Sequence, residues 1–278
     1  MLSHADKFAH ADARVGTYVA SDWGFATNSF WIEGPTGLIL IDTQFLLSAA
    51  NEAVDWAERA TGKKVVLAIV LHANPDKFNG AEVLQKRGIR VVTSKQVLDL
   101  IPEVHAKRTR AFYTRYAPDY PKDPPHPESF GDHDTDLSAA GVTVKAHVTG
   151  AGCSDAHLVI EWEKHVFVGD LIGSQTHSWL ELAHLSEWRD RLREIRALAP
   201  VYVHPGRGPT GGPELIDAED SYLHHFEDIV AAAHPRGAPP AEAIARMKSD
   251  LQKAYPDYAY DVFLEMGLMA VWAKLAEK

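Results

Sequence analysis

The stretch Leu71-His72-Ala73-Asn74-Pro75-Asp76-Lys77-Phe78-Asn79-Gly80 decides how this chain is read. The apolar run Val65-Val66-Leu67-Ala68-Ile69-Val70-Leu71 feeds straight into it and predicts a buried strand. Asn79-Gly80 then opens an amphipathic helix over 81–86. Between strand and helix an imidazole, an amide, a carboxylate and an ammonium arrive together as His-x-Asn-x-Asp-Lys. Imidazole and carboxylate are good ligands for a zinc-class ion, whereas an amide is a poor one and lysine is charged at neutral pH.

Upstream, residues 28–33, the turn Gly34-Pro35-Thr36-Gly37 and residues 38–42 predict a β-hairpin. Residues 46–61, with Leu47, Ala50, Val54, Ala57 and Ala60 at helical spacing, predict an amphipathic helix. Downstream, Ile89-Arg90-Val91-Val92-Thr93 reads as a strand, and Ser94 is placed to cap a helix over 95–101. Residues 118–131, rich in Pro, Asp and Gly, predict a loop, either a flap near a pocket or a surface excursion. A second β-rich block covers 142–148, 156–162 and 166–168, followed by a helix over 186–198 and a strand over 201–204. From about 213 the chain reads as helical, with breaks at His234-Pro235-Arg236-Gly237 and Ala238-Pro239-Pro240.

The His-x-Asn-x-Asp-Lys loop resembles the His-x-His-x-Asp-His signature of the metallo-β-lactamase superfamily, and four further motifs stand in that family's order. Leu40-Ile41-Asp42-Thr43-Gln44 resembles a hairpin motif ending Ile-Asp-Thr-Gly. Gly150-Ala151-Gly152-Cys153-Ser154 resembles Gly-x-Gly-His-Thr, with Cys153 in the His position. Val168-Gly169-Asp170 matches a Gly-Asp motif, and His204-Pro205-Gly206-Arg207-Gly208 resembles Pro-Gly-His-Gly with Arg207 where the last ligand stands. The resemblance spans roughly residues 15–210. It implies an α/β fold, a four-layer αββα sandwich over 1–212, with a helical C-terminal extension over 213–278 packed on the same domain.

By that resemblance the first metal position is surrounded by His72, Asn74, Cys153 and a bridging Asp170, the second by Asp76, Lys77, Asp170 and Arg207. Imidazole, thiolate and carboxylate give three ligands and an open position, a usable mononuclear site. Lysine and arginine are not ligands at neutral pH, so two cations facing two carboxylates take the place of a second ion. The resemblance therefore implies an enzyme acting on a small ester, lactone, thioester or amide-type substrate, with at most one zinc-class ion on His72, Cys153 and Asp170. Asp76 would orient water or shuttle a proton, Lys77 and Arg207 would hold an anionic group or the developing oxyanion, and Asn74 stands beside them. His177 and Trp179 are candidates for the substrate pocket, and His184 for a surface residue. The pairs His224-His225 and Asp257 with Asp261 read as solvated faces of the tail.

Two rival readings use the same residues. In one, no metal binds and Cys153 is the nucleophile, its thiolate favoured by Lys77, Arg207 or His72. In the other, the protein is a pseudoenzyme that binds a ligand or acts as a scaffold, since four departures from the ligand set fit poorly with two-metal hydrolysis.

The bulk properties narrow the partners. A net charge of −10 over 278 residues provides no basic field for nucleic acid or an anionic membrane. No apolar run approaches the roughly 20 residues that span a bilayer, and no secretory leader is visible at the N-terminus. Cys153 is the single cysteine, which excludes an internal disulfide and fits a reducing compartment. The expectation is a cytoplasmic protein with a small-molecule substrate, whose helical tail covers a sheet edge, lines the pocket or makes the contact of a homodimer.

Overall fold

The computed structural model describes residues 2–7 and 12–277. The chain divides into two compact units, one running up to Thr149 and including Asp155–Gly169, the other formed by Gly150–Ser154 and the residues from Asp170 onward.

In the first unit a seven-stranded sheet carries β1 (His4–Lys7), β2 (Val15–Val19), β3 (Asn28–Glu33), β4 (Leu38–Ile41), β5 (Val65–Ile69), β6 (Arg90–Thr93) and β7 (Glu128–Ser129) in sequence order. Strands β1 to β4 pair antiparallel and β4 to β7 parallel. Parallel pairing needs crossover connections, which α1 (Leu47–Thr61), the single turn α2 (Pro75–Phe78), α3 (Ala81–Lys86) and α4 (Lys95–Tyr116) supply. The expected hairpin is β3–β4, and the expected strand before the motif loop is β5.

These strands are apolar on both faces because each face meets a different layer. Strand β4 sends Ile39 and Ile41 toward the second sheet and Leu38 and Leu40 toward the helices. The helix side is closed by Ala50, Ala53, Val54 and Ala57 of α1, small residues that allow close approach, and by Phe78, Leu84 and Ile101. Gly62, at φ 70°, ends α1 in the left-handed conformation that costs glycine least.

Helix α4 departs from expectation. Ser94 caps it as predicted, its Oγ accepting from the Val97 amide at 3.3 Å, but the helix runs through Pro102 to Tyr116 instead of stopping at 101. The proline removes one backbone bond, and the packing of Ile101, Val104, Phe112, Tyr113 and Tyr116 offsets it. The loop expected over 118–131 is interrupted by the two residues of β7, which pair with β6 at the sheet edge.

The second sheet has the order β12-β11-β10-β9-β8, with β8 (Thr135–Ala139), β9 (Val142–Thr149), β10 (His157–Trp162), β11 (His165–Gly173) and β12 (Tyr202–Arg207). Val144, Ala146, Leu158, Ile160 and Phe167 of this sheet interlock with Phe30, Ile32, Ile39, Ile69 and Leu71 of the first. Strand β8 is absent from the sequence reading because Thr-Asp-Leu-Ser-Ala buries one large side chain, Leu137. Strand β12 reaches Arg207, three residues further than expected.

The second unit contains the end of β11, β12, α5 (Leu185–Ala197), α6 (Glu214–Ala231), α7 (Ala241–Ala254) and α8 (Val262–Ala276). The Trp272 indole donates to the Gly237 carbonyl at 2.9 Å, fixing α8 against the α6–α7 connection. Among the described residues no helix is long and apolar enough to cross a membrane.

Candidate metal site

In the first unit two strand ends are locked together. Asp42 leaves β4 at φ 65°, a left-handed conformation costly for a residue with a Cβ. Its side chain compensates: Oδ1 accepts from the Leu71 amide at 2.9 Å, and its carbonyl accepts from Ser29 Oγ at 2.9 Å. Gln44, at φ 75° where the family motif has glycine, donates from Nε2 to the Thr27 carbonyl and to Ser29 Oγ. Thr43 donates from both its amide and its hydroxyl to the Lys77 carbonyl, at 2.9 and 2.7 Å. Gly80 has to be glycine, because a Cβ there would meet the Thr43 carbonyl at 2.0 Å.

This stapling fixes where Lys77 points. Its ammonium is fully buried, 3.3 Å from Asp76 Oδ2 and 3.6 Å from Asp42 Oδ2. Asp76 also faces the Thr27 hydroxyl at 3.4 Å. Asn74, buried at the start of α2, donates its backbone amide to the His72 carbonyl at 3.0 Å. His72 is fully buried and bridges to His157, the first residue of β10. Their rings lie 4.9 Å apart at 45°, and the Leu158 amide donates to the Leu71 carbonyl at 2.7 Å. His72 and His157 in this unit, and Cys153 in the 150–154 segment of the second, carry the imidazole and thiol donors that suit a zinc-class ion. All three are buried.

In the second unit Asp170 and Arg207, at the ends of β11 and β12, form an ion pair of 2.7 Å between Oδ2 and Nη1, both side chains largely buried. The guanidinium lies over the Phe263 ring at 5.7 Å, and Trp179 meets the same ring edge-on at 5.0 Å. Asp170, Thr176, His177, Ser178, Trp179 and Arg207 line a small open recess. The proposed pocket residues His177 and Trp179 thus share a wall with Asp170 and Arg207.

Behind that wall the tail contributes more than the sequence reading allowed. Asp261 is not simply a solvated carboxylate: its Oδ1 lies 3.2 Å from Nε2 of buried His177, whose Nδ1 faces the Tyr222 hydroxyl at 3.0 Å. Burial lowers the His177 pKa, and Asp261 acts against that shift. His225 likewise has a partner, the Tyr255 hydroxyl at 3.0 Å from Nδ1. The segment before α8 pairs with the recess loop through Thr176 and Ala259, the His177 amide donating to the Ala259 carbonyl at 2.9 Å. His184 is half-buried at the start of α5.

Glu219 was missed, although Ile216, Glu219, Leu223, Phe226 and Val230 stand at helical spacing on the buried stripe of α6. Its carboxyl accepts from Ser178 Oγ at 2.6 Å and from the Gly173 amide at 3.0 Å, closing the recess loop at both ends. Burial pushes its pKa from 4.5 up to about 7, against the pull of those two donors. The folded state therefore holds a proton that the unfolded chain releases. Stability from this group is complete below about pH 4.5 and is lost as pH rises through about 7, an effect of roughly 3 kcal/mol. Glu219→Gln should flatten that part of the stability–pH curve and be the more stable form at about pH 8. Parallel melting curves for parent and variant across the range would show that Glu219 does not titrate there.

The metallo-β-lactamase superfamily model matches residues 22–207. The chain belongs to the metallo-β-lactamase superfamily. The matched span of this superfamily member takes in four of the motifs whole and the fifth as far as Arg207, and its two sheets with flanking and C-terminal helices are the fold class the motifs implied. Solved metallo-β-lactamases share its fold at low identity. One from Pontibacter korlensis aligns with a TM-score of 0.64 at 19% identity, covering 80% of this chain and 99% of that one. FIM-1 from Pseudomonas aeruginosa, solved in a mono-zinc form, aligns at 0.63 and 18%, covering 81% and 96%. DIM-1 aligns at 0.64 and 15%, covering 81% and 98%. No curated protein matches this superfamily member in sequence.

Proposed function

We propose that the protein is a hydrolase of small carbonyl substrates, an ester, lactone, thioester or amide, working with at most one zinc-class ion. Membership of a generally hydrolytic superfamily supports the reaction class. The limit of one ion rests on a single observation, the buried ammonium of Lys77 beside the Asp42 and Asp76 carboxylates. A divalent ion about 4 Å from that ammonium would meet roughly 4 kcal/mol of repulsion per unit of its charge at an effective dielectric of 20. The donors that remain, His72 and Cys153 with a third ligand, suit a zinc-class ion in their chemistry.

Such an ion, when bound, provides activated water at neutral pH and polarises a carbonyl. The chain's own residues do the rest. Asp76, held by Lys77 and Thr27, orients the attacking water and takes its proton. Lys77, its ammonium fully buried, holds Asp76 in place, and Arg207 in the recess wall meets negative charge that develops on the carbonyl oxygen. His177 and Trp179 line the side of the recess that receives the substrate.

The ion pairs on Asp76 and Asp170 favour one rival, a ligand-binding protein without catalysis, because both carboxylates already face cations. Metal content separates the readings. Protein from zinc-supplemented growth should carry no more than one equivalent by mass spectrometry, and turnover of a panel of small esters and lactones should track occupancy. Cys153→Ser should lower metal and activity together, while Cys153→His, which restores the family's imidazole, should keep the metal. Two equivalents would refute charge replacement at the second site. None would remove the one-ion mechanism and leave the ligand-binding and metal-free Cys153 readings standing.

A further inference from the structure

We infer that the helical tail makes the recess a size filter, in which Phe263 is the positioning residue that limits the substrate to short acyl groups such as acetyl. This rests on the reading that the recess receives the substrate, and it names the substrate class within that reading. The space left in the recess is about 10 Å³, room for one water-sized group. A methyl group is of that size and a longer chain is not. Ile172 and Trp179 supply the apolar part of the wall.

A filter works only if its wall cannot yield, and every residue from Gly173 to Trp179 is held. The Gly173 amide and the Ser178 hydroxyl donate to Glu219 at 3.0 and 2.6 Å. The Ser174 amide donates to the Arg207 carbonyl at 3.0 Å, and the Gln175 carbonyl accepts from the Ala259 amide at 3.0 Å. Thr176 bridges to Ala259, whose carbonyl accepts from the His177 amide at 2.9 Å. Glu219 and Ala259 belong to the tail, beyond the stretch that the superfamily model matches.

Trp179 closes the wall, and Phe263 fixes it. The two rings meet edge-on, 5.0 Å apart at 82°. Phe263 is itself buried: Tyr260 stacks on it at 5.3 Å, and the Arg207 guanidinium lies 5.7 Å from its centre. One turn further along α8, Gly267 lets the helix close on Leu180, because a Cβ there would lie 3.0 Å from the Leu180 Cβ. Trp179 therefore cannot yield toward the tail without displacing Phe263, and Phe263 cannot move without lifting the start of α8. One methylene too many in a fitted apolar pocket is discriminated by roughly 10–200-fold.

The test follows ligand entry and turnover side by side in the parent, Phe263→Ala and Phe263→Leu. Entry is read from the NMR resonance of the Trp179 indole N–H, assigned with Trp179→Phe, using acetamide and hexanamide, neutral probes that differ only in chain length. In the parent acetamide should move this resonance and hexanamide at the same concentration should not. In Phe263→Ala both should move it, and Phe263→Leu, which keeps bulk but loses the ring edge, should fall between and carries the comparison if the alanine variant does not fold. The kcat/KM ratio of an acetyl over a hexanoyl ester should be about 100-fold in the parent and drop at least tenfold in Phe263→Ala. The kcat for the acetyl ester should hold while KM for the hexanoyl ester falls, a split that general loosening of the fold does not produce. Hexanamide moving Trp179 in the parent, acetamide leaving it unmoved, or parent-like selectivity in both Phe263 variants overturns the inference. Turnover of neither ester, with both amides behaving as expected, sinks the hydrolase reading and upholds the filter. Turnover indifferent to chain length sinks the filter and leaves the hydrolase.

Discussion

Lys77→Ala should destabilise the fold by about 3–5 kcal/mol, the usual cost of leaving a buried charge without its partner. The ammonium is fully buried against two carboxylates, and Asp42 is held in place by its bond to the Leu71 amide. Asp42 therefore cannot swing to solvent without releasing the strand end it anchors. Lys77→Met, which keeps most of the volume, should cost nearly as much, showing that charge and not packing is lost. Adding Asp76→Asn to Lys77→Met should recover part of the loss, because one fewer carboxylate needs a counter-charge. Urea denaturation measures all three. A loss below about 1 kcal/mol for Lys77→Met would show that the carboxylates manage without the lysine.

Arg207→Ala should cost a similar 3–5 kcal/mol, with a further contribution from the lost stacking on Phe263. The Asp170 side chain is 6% exposed, so water cannot replace the guanidinium cheaply. Because the pair is buried, the loss should change little between low and high salt, unlike that of a surface pair. Combining Arg207→Gln with Asp170→Asn should restore more stability than either single change keeps. A melting temperature within a degree or two of the parent for Arg207→Ala would show that the pair does not hold β11 to β12.

The layers were legible because β4 is buried at every residue and β5 at every residue but Val66, which leaves unbroken apolar runs, and because each motif follows such a run. Helix α4 past Pro102 was not, since a proline marks a break locally and only packing against Phe45 and Tyr120 overrides it. The motif residues were legible, but their pairing was not. Lys77 finds Asp42 because a non-glycine residue adopts a positive φ, which no pattern of apolar residues announces. The Asp261 contact with His177 depends on the α7–α8 connection folding back onto the recess loop, a tertiary event without a local signature. Glu219 was legible in principle from its place on the α6 stripe.

The two buried ion pairs also constrain where this lineage can go. Exchanging Lys77 for histidine removes the ammonium facing Asp42 and Asp76 before any second ion can compensate, and exchanging Arg207 for histidine does the same to Asp170. Each exchange taken alone loses a buried pair with nothing to offset it, so each single step lowers stability. On the proposed one-ion reading, the two pairs would act as an epistatic ratchet. The recess wall at Thr176, Ser178 and Trp179, by contrast, can change without touching either pair.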